Sequence, residues 1–346
     1  MKILYLGPRS GTCLDRARAY ERLGHEVQHL DLRSLLPASP WLDRAAWRFG
    51  GRWLGRLLCS ALAHRLAGQR YALCHVDGGA LAGPQVLRLL RSHADVLVNY
   101  NIDDPFGGRD GRRFAAYLHG LPFYDLAVVM RTANVAEAQA HGARRVLRVF
   151  MSADEVSHAP RQPTPAQQQT WRSDVLFVGT WMPERGPFLA GLLARGVPLS
   201  IRGAHWQKAP EWPLLQPHWR GGPIVGDDYA LALQCARVNL GLLSVGNRDE
   251  HTTRSVEVPA LGGLLCAQRT PEHAALYRDG VEALLWSDAA ECARHCRQAL
   301  QDEAWAARIA AAGRRRAKAN GHFNETVLLR ILDAVGLPAA PALADT

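Results

Sequence analysis

Lysine is nearly absent from this 346-residue chain. It occurs at Lys2, Lys208 and Lys318 alone, so arginine carries almost all of the positive charge behind a net +9. Such a balance favours anionic partners (phosphates, acidic glycans, lipid surfaces) without choosing among them. Long hydrophobic runs are also missing. No stretch of roughly eighteen uncharged apolar residues occurs, which argues against a membrane-spanning helix. The opening Met1-Lys2-Ile3-Leu4-Tyr5-Leu6-Gly7 enters a strand pattern at once and lacks the layout of a cleavable signal peptide. Cysteines are few, odd in number and dispersed, at positions 13, 59, 74, 235, 266, 292 and 296. That usage fits reduced thiols in the cytoplasm rather than a disulfide framework. No His or Cys pair at zinc spacing accompanies Cys292 and Cys296, which read as small buried residues on one helical face.

What is present is apolar material, 48% of the residues, in a length suited to two domains. Two segments follow one plan. Ile3–Gly7, a polar loop, a helix over Leu14–Leu23 and Gly24–Val27 form the first; Val175–Gly179, a turn to Gly186, a helix over Phe188–Arg195 and Gly196–Leu199 form the second. Each is a strand, a glycine-bearing turn, a helix and a return strand, the opening unit of a doubly wound sheet. Further short apolar runs alternate with helical patterns, as buried parallel strands do. The expected architecture is α/β, with two Rossmann-like doubly wound domains facing a central cleft. Residues 1–156 form the first domain, the proline-rich stretch 157–173 a linker, and 174–320 the second domain. Residues 321–346 supply a last helix, packing back on the first domain, and a tail that frays from Pro338. A long helix is expected over Asp288–Lys318, broken at Gly313.

Ligands of open α/β sheets bind at the carboxyl ends of the strands, so the loops there are the places to search. Gly179-Thr180-Trp181-Met182-Pro183-Glu184-Arg185-Gly186 offers backbone N–H groups and the Arg185 fork to an anion; the plain alternative is a tight turn with a solvated arginine. Further on, Asp249-Glu250-His251-Thr252-Thr253-Arg254-Ser255-Val256-Glu257-Val258-Pro259 ends in Ala260-Leu261-Gly262-Gly263. Proline is tolerated in a helix's first turn, so Pro259 predicts a helix beginning near Ser255 or Val256, closed by the glycine pair. The bend His251-Thr252-Thr253-Arg254 then sits at a helix N-terminus suited to an anion, and Arg254 strengthens it. Glu257 is suited to accept from vicinal hydroxyls of a ribose or sugar, or it serves its own helix terminus.

Together with Gly226-Asp227-Asp228-Tyr229, Val238-Asn239-Leu240-Gly241 and Leu276–Ala283, this segment resembles the donor domain of GT-B glycosyltransferases, and most of all the CgeB-like family related to glycosyltransferase family 4. Asn101-Ile102-Asp103-Asp104-Pro105 resembles the N-terminal domains of that family. The resemblance implies a nucleotide-diphosphate-sugar donor, no metal and no further cofactor. It implies that Glu257 holds the ribose and that Gly179, Thr180, Arg185 and the Thr252, Thr253 and Arg254 amides hold the diphosphate. His205 and Trp206 would face the nucleobase, and Asp249 or its neighbours the sugar. Retaining members often carry two glutamates with seven residues between them; here Asp249 stands in the first place and Glu257 in the second.

In the first half, Asp77, Asp103 and Asp104 are candidate general bases should the reaction invert; Asp104-Pro105 can also simply start a turn. Gly7-Pro8-Arg9-Ser10-Gly11-Thr12 reads as a loop lining an acceptor pocket, and Asp31 lends it a loose likeness to a dinucleotide fingerprint whose spacing does not match. Between Trp41 and Leu58, Arg44, Arg48, Arg52 and Arg56 recur at every fourth residue with Trp41, Trp47 and Trp53 interleaved. That pattern suits either a solvated helix face or contact with an anionic membrane surface. The leading functional reading is a cytoplasmic glycosyltransferase with no nucleic-acid partner and an acceptor that is a glycan, a protein or a small metabolite. Against it stand a GT-B-fold nucleotide-sugar epimerase, which needs no acceptor, an NAD(P) oxidoreductase, which would bind a nicotinamide, and a binding protein that turns nothing over.

Overall fold

Two sets of parallel strands organise the chain, which a computed structural model describes over residues 1–339. The first sheet holds β1 (Lys2–Leu6), β2 (Glu26–Leu30), β3 (Tyr71–Asp77), β4 (Ala94–Asn101), β5 (Leu126–Val129) and β6 (Val146–Arg148) in the order β2-β1-β3-β4-β5-β6. The second holds β7 (Ser173–Val178), β8 (Leu199–Arg202), β9 (Ala236–Gly241), β10 (Leu265–Gln268) and β11 (Leu284–Trp286) in the order β11-β10-β9-β7-β8. Every strand pairing is parallel. The two tandem α/β domains read from the sequence are the observed fold. Most of their strands read as apolar runs because they are buried in the sheet interior.

One unit comprises Met1–Phe150, Gly246–Arg248 and the chain from Asn324; the other comprises Met151–Val245 and Asp249–Phe323. In the first, leucines from the helix Gly55–Leu66 and residues of β1, β3 and β4 form the main core. The helix Asn324–Ala334 packs on the helix Gly11–Arg22, with Arg22 and Glu325 paired at 2.5 Å. Residues 340–346 of the tail lie outside the described residues. In the second unit, β7, β8 and β9 pack with Trp206, Trp286 and the helix Ala289–Gln301. Cys266, Cys292 and Cys296 belong to that core; all three are buried, and the sulfurs of Cys266 and Cys292 lie 3.9 Å apart.

Three elements differ from expectation. The stretch 157–173 is part of the second unit: Thr164 caps the helix Pro165–Trp171 with a reciprocal bond to Gln167, and Arg161 pairs with Asp227 at 2.6 Å. Prolines at 163 and 165 suit a helix start as well as a linker. The long C-terminal helix breaks at Asp302, not at Gly313. Asp302 ends Ala289–Gln301 and caps Glu303–Asn320 by accepting from the Trp305 N–H at 2.8 Å. Gly313 lies inside the second of these helices, where a side chain would strike the Glu282 carbonyl. The helix around Pro259 runs Arg254–Ala260, so the proline sits well past the first turn. Proline lacks the N–H that would bond the carbonyl four residues back. That carbonyl, on Ser255, accepts the Tyr277 hydroxyl instead, at 2.7 Å.

Candidate active site

In the second sheet the chain winds from β7 to β8 on one side and on to β9 on the other, so the direction reverses between β7 and β9. Ligands of open α/β sheets bind at such a point, beyond the carboxyl ends. Arg185 is buried there. Its Nη1 donates to Thr180 O at 2.8 Å, its Nε to Leu243 O at 3.3 Å, and its Nη2 to Leu242 O and Leu243 O at 3.3 and 3.2 Å. The guanidinium stitches the chain leaving β7 to the chain leaving β9. This corrects the expectation that Arg185 presents a fork to a diphosphate, since its donors serve carbonyls that burial would otherwise strand.

Arg254 is placed differently. Its Nε donates to Val178 O at 2.6 Å, at the end of β7, while its terminal nitrogens have no hydrogen-bond partner among the described residues. It is only partly buried. Of the two arginines, Arg254 carries the available fork.

Buried polar groups fix the bend that presents it. The Thr252 N–H donates to Ser255 Oγ at 3.0 Å, and Ser255 Oγ lies 2.7 Å from His273 Nε2. His273 Nδ1 lies 2.6 Å from Gln268 O, so Nδ1 donates and Nε2 accepts the serine proton. Burial holds this imidazole neutral, its pKa pushed down to about 4. One residue earlier, His251 Nε2 accepts the Met151 N–H at 2.9 Å and Nδ1 donates to Glu272. Thr252 Oγ1 is buried with no partner among the described residues, and Thr253 is partly exposed beside it.

Glu257 follows in the same helix and is buried. It accepts the Tyr229 hydroxyl, and His158 Nε2 lies 3.6 Å from its other oxygen. The Asp154 N–H donates to His158 Nδ1 at 2.9 Å, so the ring's own N–H is on Nε2, facing Glu257. Sequence reasoning gives neither neighbour a role. The Gly226–Tyr229 run is a signal for Tyr229, but nothing in a proline-rich stretch marks His158. Asp249 closes the loop that leaves β9: its Oδ2 accepts the Ser244 N–H at 3.2 Å and its own N–H returns to Ser244 O at 3.2 Å.

Gly179 and Thr180 lie along the end of β8. Gly179 N–H bonds Arg202 O at 2.9 Å, Trp181 N–H bonds Ala204 O at 2.9 Å, and a side chain on Gly203 (φ 138°) would collide with the Gly179 carbonyl. His205 is exposed and left-handed at φ 65°. Trp206 is not a base-stacking platform. It is fully buried, edge-on to Phe177 with centroids 5.9 Å apart, and its indole N–H donates to Gly179 O at 3.0 Å. A cavity of about 270 Å³ opens at the carboxyl ends of β9, β10 and β11, lined by Glu184, Arg185, Leu243, Gln268 and Trp286. A larger one, about 550 Å³, lies at the opposite ends of β7, β9 and β10, away from every predicted site residue.

In the first sheet the winding reverses between β1 and β3. A cavity of about 200 Å³ sits at their carboxyl ends, lined by Gly7, Pro8, Asp31, Asp77, Asp103 and Arg113 among others. The structure separates the three candidate bases. Asp77 is buried against Arg16 at 2.7 Å and takes the Tyr5 hydroxyl; burial opposes its charge most strongly, but Arg16, His75 and the Tyr5 bond together outweigh this and its pKa is lowered. Asp104 accepts from Arg248 at 2.6 and 2.8 Å, from Asn134 at 3.0 Å and from two backbone N–H groups of the turn. Burial again opposes its charge, and the bonds from Arg248 and Asn134 lower its pKa regardless. Both carboxylates are committed, which corrects their candidacy. Asp103 is left, 3.4 Å from Arg113, with burial raising its pKa and Arg113 only partly offsetting this.

Residues 185–333 match the model of a family described as glycosyl transferase-like, a stretch that includes Arg185, Arg254 and Glu257. No curated protein is similar to the chain in sequence. Among solved structures, sucrose-phosphate synthase from Thermosynechococcus elongatus superimposes with a TM-score of 0.71 at 15% identity, over 97% of this chain and 98% of that one. HepE of Anabaena, solved in complex with UDP and glucose, gives 0.64 at 14% identity over 97% and 99%. A putative UDP-N-acetylglucosamine 2-epimerase from Listeria monocytogenes gives 0.60 at 9% identity over 99% of each chain. The chain therefore has the GT-B fold, and over residues 185–333 its sequence is glycosyl transferase-like.

Proposed function

We propose that the protein is a glycosyltransferase of the CgeB-like type, acting in the cytoplasm, that moves a sugar from a nucleotide-diphosphate sugar to a hydroxyl-bearing acceptor. The observation that carries this reading is the glycosyl transferase-like match over residues 185–333, which contains the unpaired Arg254 fork at the strand switch point and the buried carboxylate of Glu257. In this reading Arg254 and the Thr252–Arg254 bend take the diphosphate, so side-chain and backbone donors rather than a metal neutralise the leaving group. Glu257, held by Tyr229 and faced by His158, takes the ribose hydroxyls. His205 is left to meet the base. Asp249 and Glu257, with seven residues between them, support retention at the transferred carbon. Asp103 then orients the acceptor hydroxyl in the first-unit cavity.

The test is a thermal-unfolding panel with UDP, GDP, dTDP, CDP and ADP, followed by transfer assays with the matching sugar donors. A ligand at a hundred times its Kd stabilises the fold by about 2.7 kcal/mol, so the preferred base stands out. If no nucleoside diphosphate shifts the transition, the donor assignment fails. The epimerase reading has the Listeria neighbour in its favour. Conversion of the donor sugar with no acceptor present would put that reading in place of the first.

A further inference from the structure

The arginine and tryptophan run between Trp41 and Leu57 is not absorbed by any of this chemistry. It forms two helices, Pro40–Phe49 and Gly55–Leu66, joined through Gly50, Gly51 and a single turn at Arg52–Leu54. One side of the pair is core: Leu54, Leu58, Leu62 and Leu66 are fully buried, and Leu42 and Ala46 pack against them. The other side carries large apolar groups into water. Trp41 is 77% exposed, Trp47 54%, Phe49 58%, Trp53 51% and Leu57 59%. These are half of the exposed large hydrophobic side chains among the described residues, and all of the exposed aromatic ones. Arg44, Arg48, Arg52 and Arg56 are exposed among them, and none has a carboxylate partner among the described residues. Asp43, the one acid in the segment, is tied to Arg33 at 2.5 Å. Arg44 lies 5.4 Å from the Trp41 ring centre, and Arg113 reaches over Trp47 at 4.2 Å.

We propose that this face docks on a bilayer surface bearing anionic headgroups. Leaving such a patch in water forgoes its burial free energy, and patches of this kind mark interaction surfaces. Tryptophan favours the bilayer interface, where its ring is half wet, and arginine beside it neutralises lipid phosphate. A second copy of the chain fits less well, because a two-fold contact would set unpaired arginines against their own kind. A nucleic-acid strand would use the rings for stacking, but Leu57 has nothing to stack. The site is on the first unit and is independent of the donor assignment.

The experiment is sedimentation of the full chain with phosphatidylcholine vesicles, with and without phosphatidylglycerol, at low and physiological salt. Three proteins are compared: wild type, Arg44→Ala/Arg48→Ala/Arg56→Ala, and Trp41→Ser/Trp53→Ser. All five side chains are exposed, and melting temperatures establish that the variants fold. Wild type is expected to bind the phosphatidylglycerol vesicles alone. Losing three charges is expected to weaken partitioning on the order of a hundredfold, and the tryptophan pair is expected to weaken it further at physiological salt. Failure of wild type to bind at low salt overturns the proposal, as does equal binding by the tryptophan variant, which would reduce the effect to net charge. It is also overturned if a dimer, or a complex with a single-stranded oligonucleotide, is lost in these variants while vesicles are ignored.

Discussion

The Tyr277 hydroxyl occupies the place in the helix ladder that Pro259 leaves empty, bonding the Ser255 carbonyl at 2.7 Å. The same serine's hydroxyl is held between the Thr252 N–H and His273. A proline inside a short helix thus turns one backbone carbonyl into an anchor for a distant side chain, and the Thr252–Arg254 bend rests on that anchor. Tyr277→Phe leaves the carbonyl buried and unpaired, which costs about 1–3 kcal/mol. Urea unfolding measures this directly. Nucleotide affinity is expected to fall in the same variant, and unchanged stability would show that the carbonyl finds another partner.

Arg185 and Arg254 are expected to fail in different ways. Arg185→Ala strands three backbone carbonyls at the strand switch point, so it lowers stability by about 2–4 kcal/mol. Arg254→Ala removes a partly exposed fork and is expected to leave the melting temperature within a few degrees of wild type. It should lower donor affinity about tenfold to a hundredfold, the range of one charge-assisted bond. Calorimetry with the preferred nucleotide, alongside melting curves, separates the two. A reversed pattern would return the phosphate role to Arg185.

Asp103→Asn tests the acceptor side. An orienting role predicts a loss of about tenfold in kcat/KM for the acceptor, with the product's anomeric configuration retained. A general base contributes roughly 10²–10⁴-fold. A loss on that scale with an inverted product would make Asp103 the base and remove retention.

Stability should fall as the solution is acidified through the histidine range. Burial holds His75 neutral, its pKa pushed down to about 3, and His273 neutral at about 4. The unfolded chain takes up these two protons near the ordinary histidine value of about 6.5, so it binds more protons than the fold between there and the depressed values. The stability contribution is complete above about pH 6.5 and is lost progressively below it, by up to about 1.4 kcal/mol per pH unit for each histidine. Denaturant melts from pH 8 to 4.5 check the slope; a flat profile would mean that the unfolded state keeps these rings buried as well.

The fold was legible because a parallel strand covered on both faces has to be an apolar run, and most of the eleven strands are such runs, the edge strand β2 (Glu26–Leu30) being an exception. The strand ends were legible as the places to search for a related reason, since glycines and charged residues have little other business at the end of a buried strand. Which arginine remains available was not. The sequence puts Arg185 and Arg254 in comparable loops, and only the path of the backbone decides that one meets four carbonyl contacts and the other meets one. Trp206 misleads in the same way, because one residue along a turn separates an exposed His205 from a ring in the core. The three acids of the first unit look alike in sequence. They are sorted by cations far along the chain, Arg16 for Asp77 and Arg248 for Asp104.

Arg248 has a consequence for any attempt to divide the gene. It belongs to the first unit, where it meets Asp104 and Glu137, yet it is encoded almost a hundred codons beyond Phe150. The helix Asn324–Ala334 comes later still. A fragment ending at Phe150 would therefore carry an acid stripped of its counter-ion and the helix Gly11–Arg22 stripped of its cover. Chimaeras that exchange halves with a relative at a single crossover inherit a mismatched pair at each place. The exchangeable module is a set of three sequence pieces, and recombination that respects all three is the kind expected to yield folded hybrids.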